Sequence, residues 1–243
     1  MKGENGFNLF KYNEMGGIGM FASNEYLQKV TSEQVLAFDY LMRYIHKKQI
    51  SISKQDFYDL GLIDEEGVYT NLALLLSGEC PFTIKVGVYP NDSFSSFRDK
   101  REFEGCLLEQ IDDCRLYLKL CNRTVSTFDV LRRIECSDYP SEVTKVALLN
   151  TIVGRNYSTN ASLLVHVMKS NIEFITVGTL VDFGDDKVIN KKLIEVLQKL
   201  EIVNDDELGV EKINEFYFDD DMKPIVEKSP NAFKIILPSR NVD

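Results

Sequence analysis

The stretch "SEVTKVALLNTIVGRNYS", residues 141–158, decides how this chain is to be read. Val143, Val146, Ala147 and Asn150 stand at i, i+3, i+4 and i+7, so a helix places all four on one face. Tyr139 and Pro140 make a stop in front of it, Ser141 is a candidate cap, and Gly154 follows the last apolar positions. Asn150 is the anomaly, an amide continuing an apolar face. Without partners it would cost about 1–3 kcal/mol. It is therefore either a structural residue bonded to backbone or a residue that faces a ligand, and these residues alone leave both readings open.

Working outward, "SLLVHVMK" and "NIEFITVG" read as two strands joined by a tight turn near Ser170 and Asn171. An acidic loop, residues 182–186, precedes the helical "NKKLIEVLQKLE"; "GVEKINEFY" is a further helix, and "KPIVEK" with "AFKIILP" a final hairpin across residues 229–231. Upstream, "FTIKVGVY" is a strand and residues 102–122 a long helix with Leu107, Ile111, Cys114, Leu118 and Cys121 on one side. "TNLALLLSG" is a short helix, and "SKQDFYDLGLI" another, opened by Ser53 and stopped at Gly61. Residues 32–49 show helical spacing of Val35, Phe38, Leu41 and Ile45, with Ser32 as cap, behind the strand-and-turn stretch "YNEMGGIGMFAS". Strands alternating with helices predict an α+β fold, a two-layer sandwich of a mixed β-sheet and helices. Two zones are expected: a small N-terminal α/β segment over residues 1–58 and a main domain over residues 59–243.

Composition excludes several classes. With 44% hydrophobic and 27% charged residues the chain is that of an ordinary globular protein, and no apolar run reaches the roughly 20 residues of a membrane helix. The first ten residues lack the basic segment and apolar core of a secretory signal, so a cytoplasmic location is expected. A net charge of −10 opposes the phosphate backbone of nucleic acid, although Arg98, Lys100 and Arg101 make a local basic patch. Five cysteines without a CxxC pair, and only two histidines, give little material for zinc; reduced, partly buried thiols are expected. The acidic clusters at residues 205–208 and 218–221 lack the ligand spacing of an EF-hand loop and read as solvated loops. His166 lies on a strand, opposite in facing to Val165 and Val167, with no nucleophile context nearby. Arg132 and Arg133 suit a partly exposed strand or loop with ion pairs. No Walker loop occurs, and the glycines at positions 16–19 suit a turn.

Six segments in order, "LGLIDEEGVYTNLALLLSG", "EFEGCLLEQIDDCRLYL", "YPSEVTKVALLNTIVGRNYS", "IEFITVGTL", "ELGVEKI" and "AFKIILP", resemble the C-terminal region of bacterial RecG-like transcriptional regulators. These helicase-related proteins usually carry a Schlafen-type AlbA domain in front, whose hallmark is missing here. The resemblance covers roughly residues 59–240 and implies a fold similar to the ATP-binding domain of the GHKL group. It places Asn150 where that group holds Mg²⁺ against the phosphates, so Asn150 is the metal candidate if Mg-ATP binds. Arg155, Tyr157 and Ser158 match a family H-R-D-Y-S, Gly178 the turn beside the adenine, and Gly209 a lid glycine.

The departures point the other way. The catalytic glutamate position is Val146, which can neither accept a proton nor orient a water. Gly154 and Asn156 replace the family histidine and aspartate. Thr176 stands where the adenine amino group is read, with Val177 for proline, and Leu208 sits beside the one remaining lid glycine. The expectation is a non-catalytic regulatory or interaction module with a degenerate nucleotide pocket, without a cofactor and with protein partners or self-association. The alternative is an ATP/ADP sensor that does not hydrolyse.

Overall fold

The structure is a computed structural model and describes residues 26–129, 132–178, 190–204, 206–229 and 232–241. The helices are α1 (Asp39–Lys48), α2 (Lys54–Asp59), α3 (Asn71–Leu75), α4 (Leu107–Cys121), α5 (Ser141–Val153), α6 (Lys191–Lys199) and α7 (Val210–Glu215). The strands are β1 (Ile84–Val88), β2 (Asp99–Phe103), β3 (Thr124–Asp129), β4 (Arg132–Ser137), β5 (Leu163–Val167), β6 (Asn171–Val177), β7 (Ile225–Ser229) and β8 (Ala232–Pro238). Six strands form a mixed sheet in the order β2-β1-β5-β6-β8-β7, while β3 and β4 pair as a separate hairpin. Only β1 and β5 run parallel; the other neighbours in the large sheet are antiparallel. The fold is α+β.

Alternation along the strands sets the layers. Ile84, Val86, Leu163, Val165, Ile172, Phe174, Phe233 and Ile235 are buried and share the core with α4, α5, α6 and α7. Alternate positions point away and are half-exposed; on that side Lys234 bridges Glu173 (3.4 Å) and Glu227 (2.9 Å). The His166 imidazole and then Lys234 hold the Glu173 carboxyl below the usual carboxylate range. β2, which carries the basic patch, is an exposed edge with Asp99, Lys100, Arg101 and Glu102 along it. Charged side chains on an edge strand oppose further strand pairing.

From Val146 onward helix α5 is buried all round: Leu148, Leu149, Thr151 and Ile152 are as inaccessible as the face read from spacing. Ser141 does not cap it; Pro140 occupies the cap position and no side chain bonds there. Ser53 does cap α2, in a reciprocal box with Asp56, and Thr70 caps α3. α1 is shorter than its pattern predicts. Residues 32–38 are tied in non-helical form by longer-range bonds: Gln34 Nε2 donates to Tyr69 O, Tyr69 N to Gln34 Oε1, and Ala37 N to Glu79 Oε2. Val35 consequently lies 83% exposed instead of facing the core.

The described part of the N-terminal segment leans on the rest. Leu27, Leu41 and Ile45 belong to the main core cluster, Tyr40 Oη donates to Asp112 (2.8 Å), and Asn71 Nδ2 donates to Tyr26 O (2.9 Å). The stretch at residues 12–23 and the acidic loop at 182–186 fall outside the described residues.

Candidate functional site

Four chain segments meet where α5 ends: residues 150–158, the end of β6, Asn190 ahead of α6, and Gly209 ahead of α7. Asn150 is fully buried there, and its amide is spent on backbone. Nδ2 donates to the Val146 carbonyl (2.8 Å), and Oδ1 accepts the Gly209 N–H (2.9 Å). Two of the candidate residues, 59 positions apart, are thus bonded directly to each other. The same span is fastened a second time by Lys145 and Glu207 at 3.2 Å, a pair mostly shielded from solvent. The Val146 side chain, 2% exposed, carries no group that takes a proton.

Just past the same end of the helix, the backbone at the end of β6 presses against the loop. Arg155 and Gly178 form an antiparallel bridge, and Asn156 N donates to Val177 O at 2.7 Å. Gly178 has φ +143°, and a Cβ there would lie 2.1 Å from the Gly154 carbonyl oxygen. Glycine is required at this close approach. Thr176 is buried, and among the described residues its hydroxyl reaches its neighbour's carbonyl at 3.5 Å.

Arg155, 2% exposed, turns away from this junction and lies over the rings of Phe82 (4.6 Å) and Tyr157 (5.3 Å). It donates to the Ala161 carbonyl, while its Nε has no hydrogen-bond partner. Burial lowers the guanidinium pKa from its ordinary value and pushes the neighbouring Cys80 thiol up to about 11. Tyr157, also buried, donates its hydroxyl to Ile152 O at 3.0 Å. Ser158 is exposed and closes a local turn, its N–H and hydroxyl both bonded to Asn156 Oδ1.

Sequence reasoning missed Asn190. It is buried in the left-handed conformation (φ 59°) and clasps the end of α5, donating Nδ2 to Val153 O (2.9 Å) and Arg155 O (2.7 Å). An asparagine directly before a helix was the available signal. The candidate residues therefore converge on one junction, but Asn150, Gly178 and Gly209 are occupied with backbone, and Arg155 and Tyr157 with packing.

Among the described residues no group of three His, Cys, Asp or Glu side chains is placed to hold a metal, and no helix is long and apolar enough to cross a membrane. A surface groove of about 580 Å³ lies elsewhere, between α1, α2 and the following loop, lined by Met42, Ile45, Phe57, Tyr58 and Tyr69 among others.

No protein-family model matches the chain, and no curated protein matches it. Its fold is similar to that of the DIP2311 protein from Corynebacterium diphtheriae, with a TM-score of 0.74 and 14% sequence identity. The match covers 88% of this chain and 47% of that one, so this chain spans about half the length of the protein it resembles in structure.

Proposed function

We propose that this chain is a non-catalytic interaction module built on a disused nucleotide cleft. The observation that carries the reading is the bond from Gly209 N–H to Asn150 Oδ1. The carbonyl oxygen that would face a Mg²⁺ ion is taken by the segment that would otherwise close over a ligand. Val146 beside it removes the base that hydrolysis needs. The resemblance of the six ordered segments to RecG-like transcriptional regulators supplies the regulatory part of the reading, in the cytoplasm and through protein partners. A net charge of −10 favours protein over nucleic acid as the partner.

The test is titration of the purified protein with ATP and ADP, with and without Mg²⁺, followed by calorimetry and thermal unfolding. A nucleotide at about 100 times its Kd would add roughly 2.7 kcal/mol of stability, a plain upward shift in Tm. The expected result is no heat of binding and no shift at millimolar nucleotide. A saturable, Mg²⁺-dependent shift would overturn the proposal in favour of a nucleotide sensor without hydrolysis.

A further inference from the structure

Among the described residues the β3–β4 hairpin pairs with no other strand and both of its edges are open. It is tied down at its base, where Arg123 meets Asp138 at 3.1 Å and Asn241 Nδ2 donates to the Cys136 carbonyl at 2.9 Å. Beyond the base, Thr124, Val125, Ser126, Arg133 and Glu135 are exposed. A two-stranded ribbon on its own is marginally stable in water, and an open edge is a template for another strand. Neither strand contains proline or lysine, and the charges that β4 does carry, Arg132, Arg133 and Glu135, oppose a partner strand unless it sets opposite charges across from them.

The order of residues in β4 says what fits it. The strand reads RRIECS, with Arg133 and Glu135 flanking Ile134 and extending from the same face. When two copies pair β4 to β4 antiparallel about a two-fold axis through Ile134, Arg133 stands opposite Glu135 of the second copy, and Glu135 opposite its Arg133. Opposite charges directly across an antiparallel pair attract, and the symmetry makes both pairs at once. Within one chain these two side chains bridge each other at 2.8 Å while remaining 61% and 56% exposed, so both remain available to the solvent side. The β3 edge, TVSTFD, carries one acid and no base and has no such self-complementarity.

We infer that the β4 edge is a self-association surface, through which two copies of this chain form a continuous four-stranded ribbon. The inference is independent of the state of the nucleotide cleft, since none of its residues lies there.

Sedimentation velocity over a concentration series tests it with three proteins. The wild type is expected to dimerise reversibly, and more weakly as salt rises. Arg133→Glu sets acid against acid twice and should raise the dimer dissociation constant about tenfold or more. The double exchange Arg133→Glu with Glu135→Arg recreates both pairs and should return it to within about threefold of wild type. A wild type that stays monomeric at its highest soluble concentration overturns the inference. So does a dimer indifferent to Arg133→Glu, or a double exchange no better than the single one. Because both side chains lie outside the core, the variants should keep the wild-type circular dichroism, and the salt dependence of the wild type gives a second readout that needs no variant.

Discussion

Asn150→Ala is expected to lower the free energy of unfolding by about 2–4 kcal/mol, a large share of a typical domain's stability. The cost has two parts. The Gly209 N–H, held at 2.9 Å in a buried setting, loses its acceptor, and the α5 helix loses the amide packed over Val146. Asn150→Asp should be no rescue, because the carboxylate cannot donate to the Val146 carbonyl and would be ionised inside the core. Burial without a cation raises a carboxyl's folded-state pKa, so the folded variant binds the proton more tightly than the unfolded chain. Its stability is therefore greatest below the unfolded pKa of about 3.9 and falls as pH rises above it. Urea unfolding of both variants at several pH values checks this, with Ser158→Ala as an exposed comparison expected within about 0.5 kcal/mol of wild type. A loss below about 1 kcal/mol in Asn150→Ala would mean that the bond is not made.

The second large effect is at Gly178. Gly178→Ala drives a methyl group to 2.1 Å from the Gly154 carbonyl oxygen and 2.8 Å from Asn156 N, both backbone atoms that cannot rotate aside. Its φ of +143° adds conformational strain to the clash. The expected loss is about 3–5 kcal/mol, or failure to accumulate folded protein. Gly67→Ala separates the two causes. Its φ is +81° but the nearest atom to the new methyl is the Tyr58 hydroxyl oxygen at 3.5 Å, so strain alone applies. That variant should cost about 1 kcal/mol. Thermal and urea unfolding of the pair compare them, and equal losses would remove the close approach as the reason for glycine at position 178.

These two residues also mark how far the sequence could be read. The spacing around Val143 and Val146 gave the central helix, and the alternation in β5, β6 and β8 gave the middle of the sheet, because burial imposes a period on each. Ser53 announced its helix through cap chemistry that depends on three or four neighbouring residues, whereas the Thr70 cap was visible only in the structure. What failed was set from a distance. Gln34 and Ala37 keep the start of α1 unwound through Tyr69 and Glu79, 35 and 42 positions away. β2 and β3 escaped, and β4 was read only as a partly exposed strand or loop around Arg132 and Arg133, because exposed strands carry no apolar alternation.

At the junction itself, spacing showed that Asn150 sat on a buried face, and the six ordered segments gathered Asn150, Gly178 and Gly209 into one place. Whether the amide faced a ligand or backbone could not be read, because its partner lies 59 residues on. Asn190 was hidden for the same reason, since its acceptors belong to residues 153 and 155, more than thirty positions earlier.

Gly209 closes on Asn150, and the proposed loss of nucleotide binding rests on that bond. Hydrogen exchange of the Gly209 amide, resolved by NMR and repeated in millimolar Mg-ATP, tests it most directly. Strong protection is expected, comparable to the core of α5, with the same rate and the same chemical shift when nucleotide is added. A Gly209 amide that exchanges like a surface loop, or whose signal moves with added Mg-ATP, would contradict it.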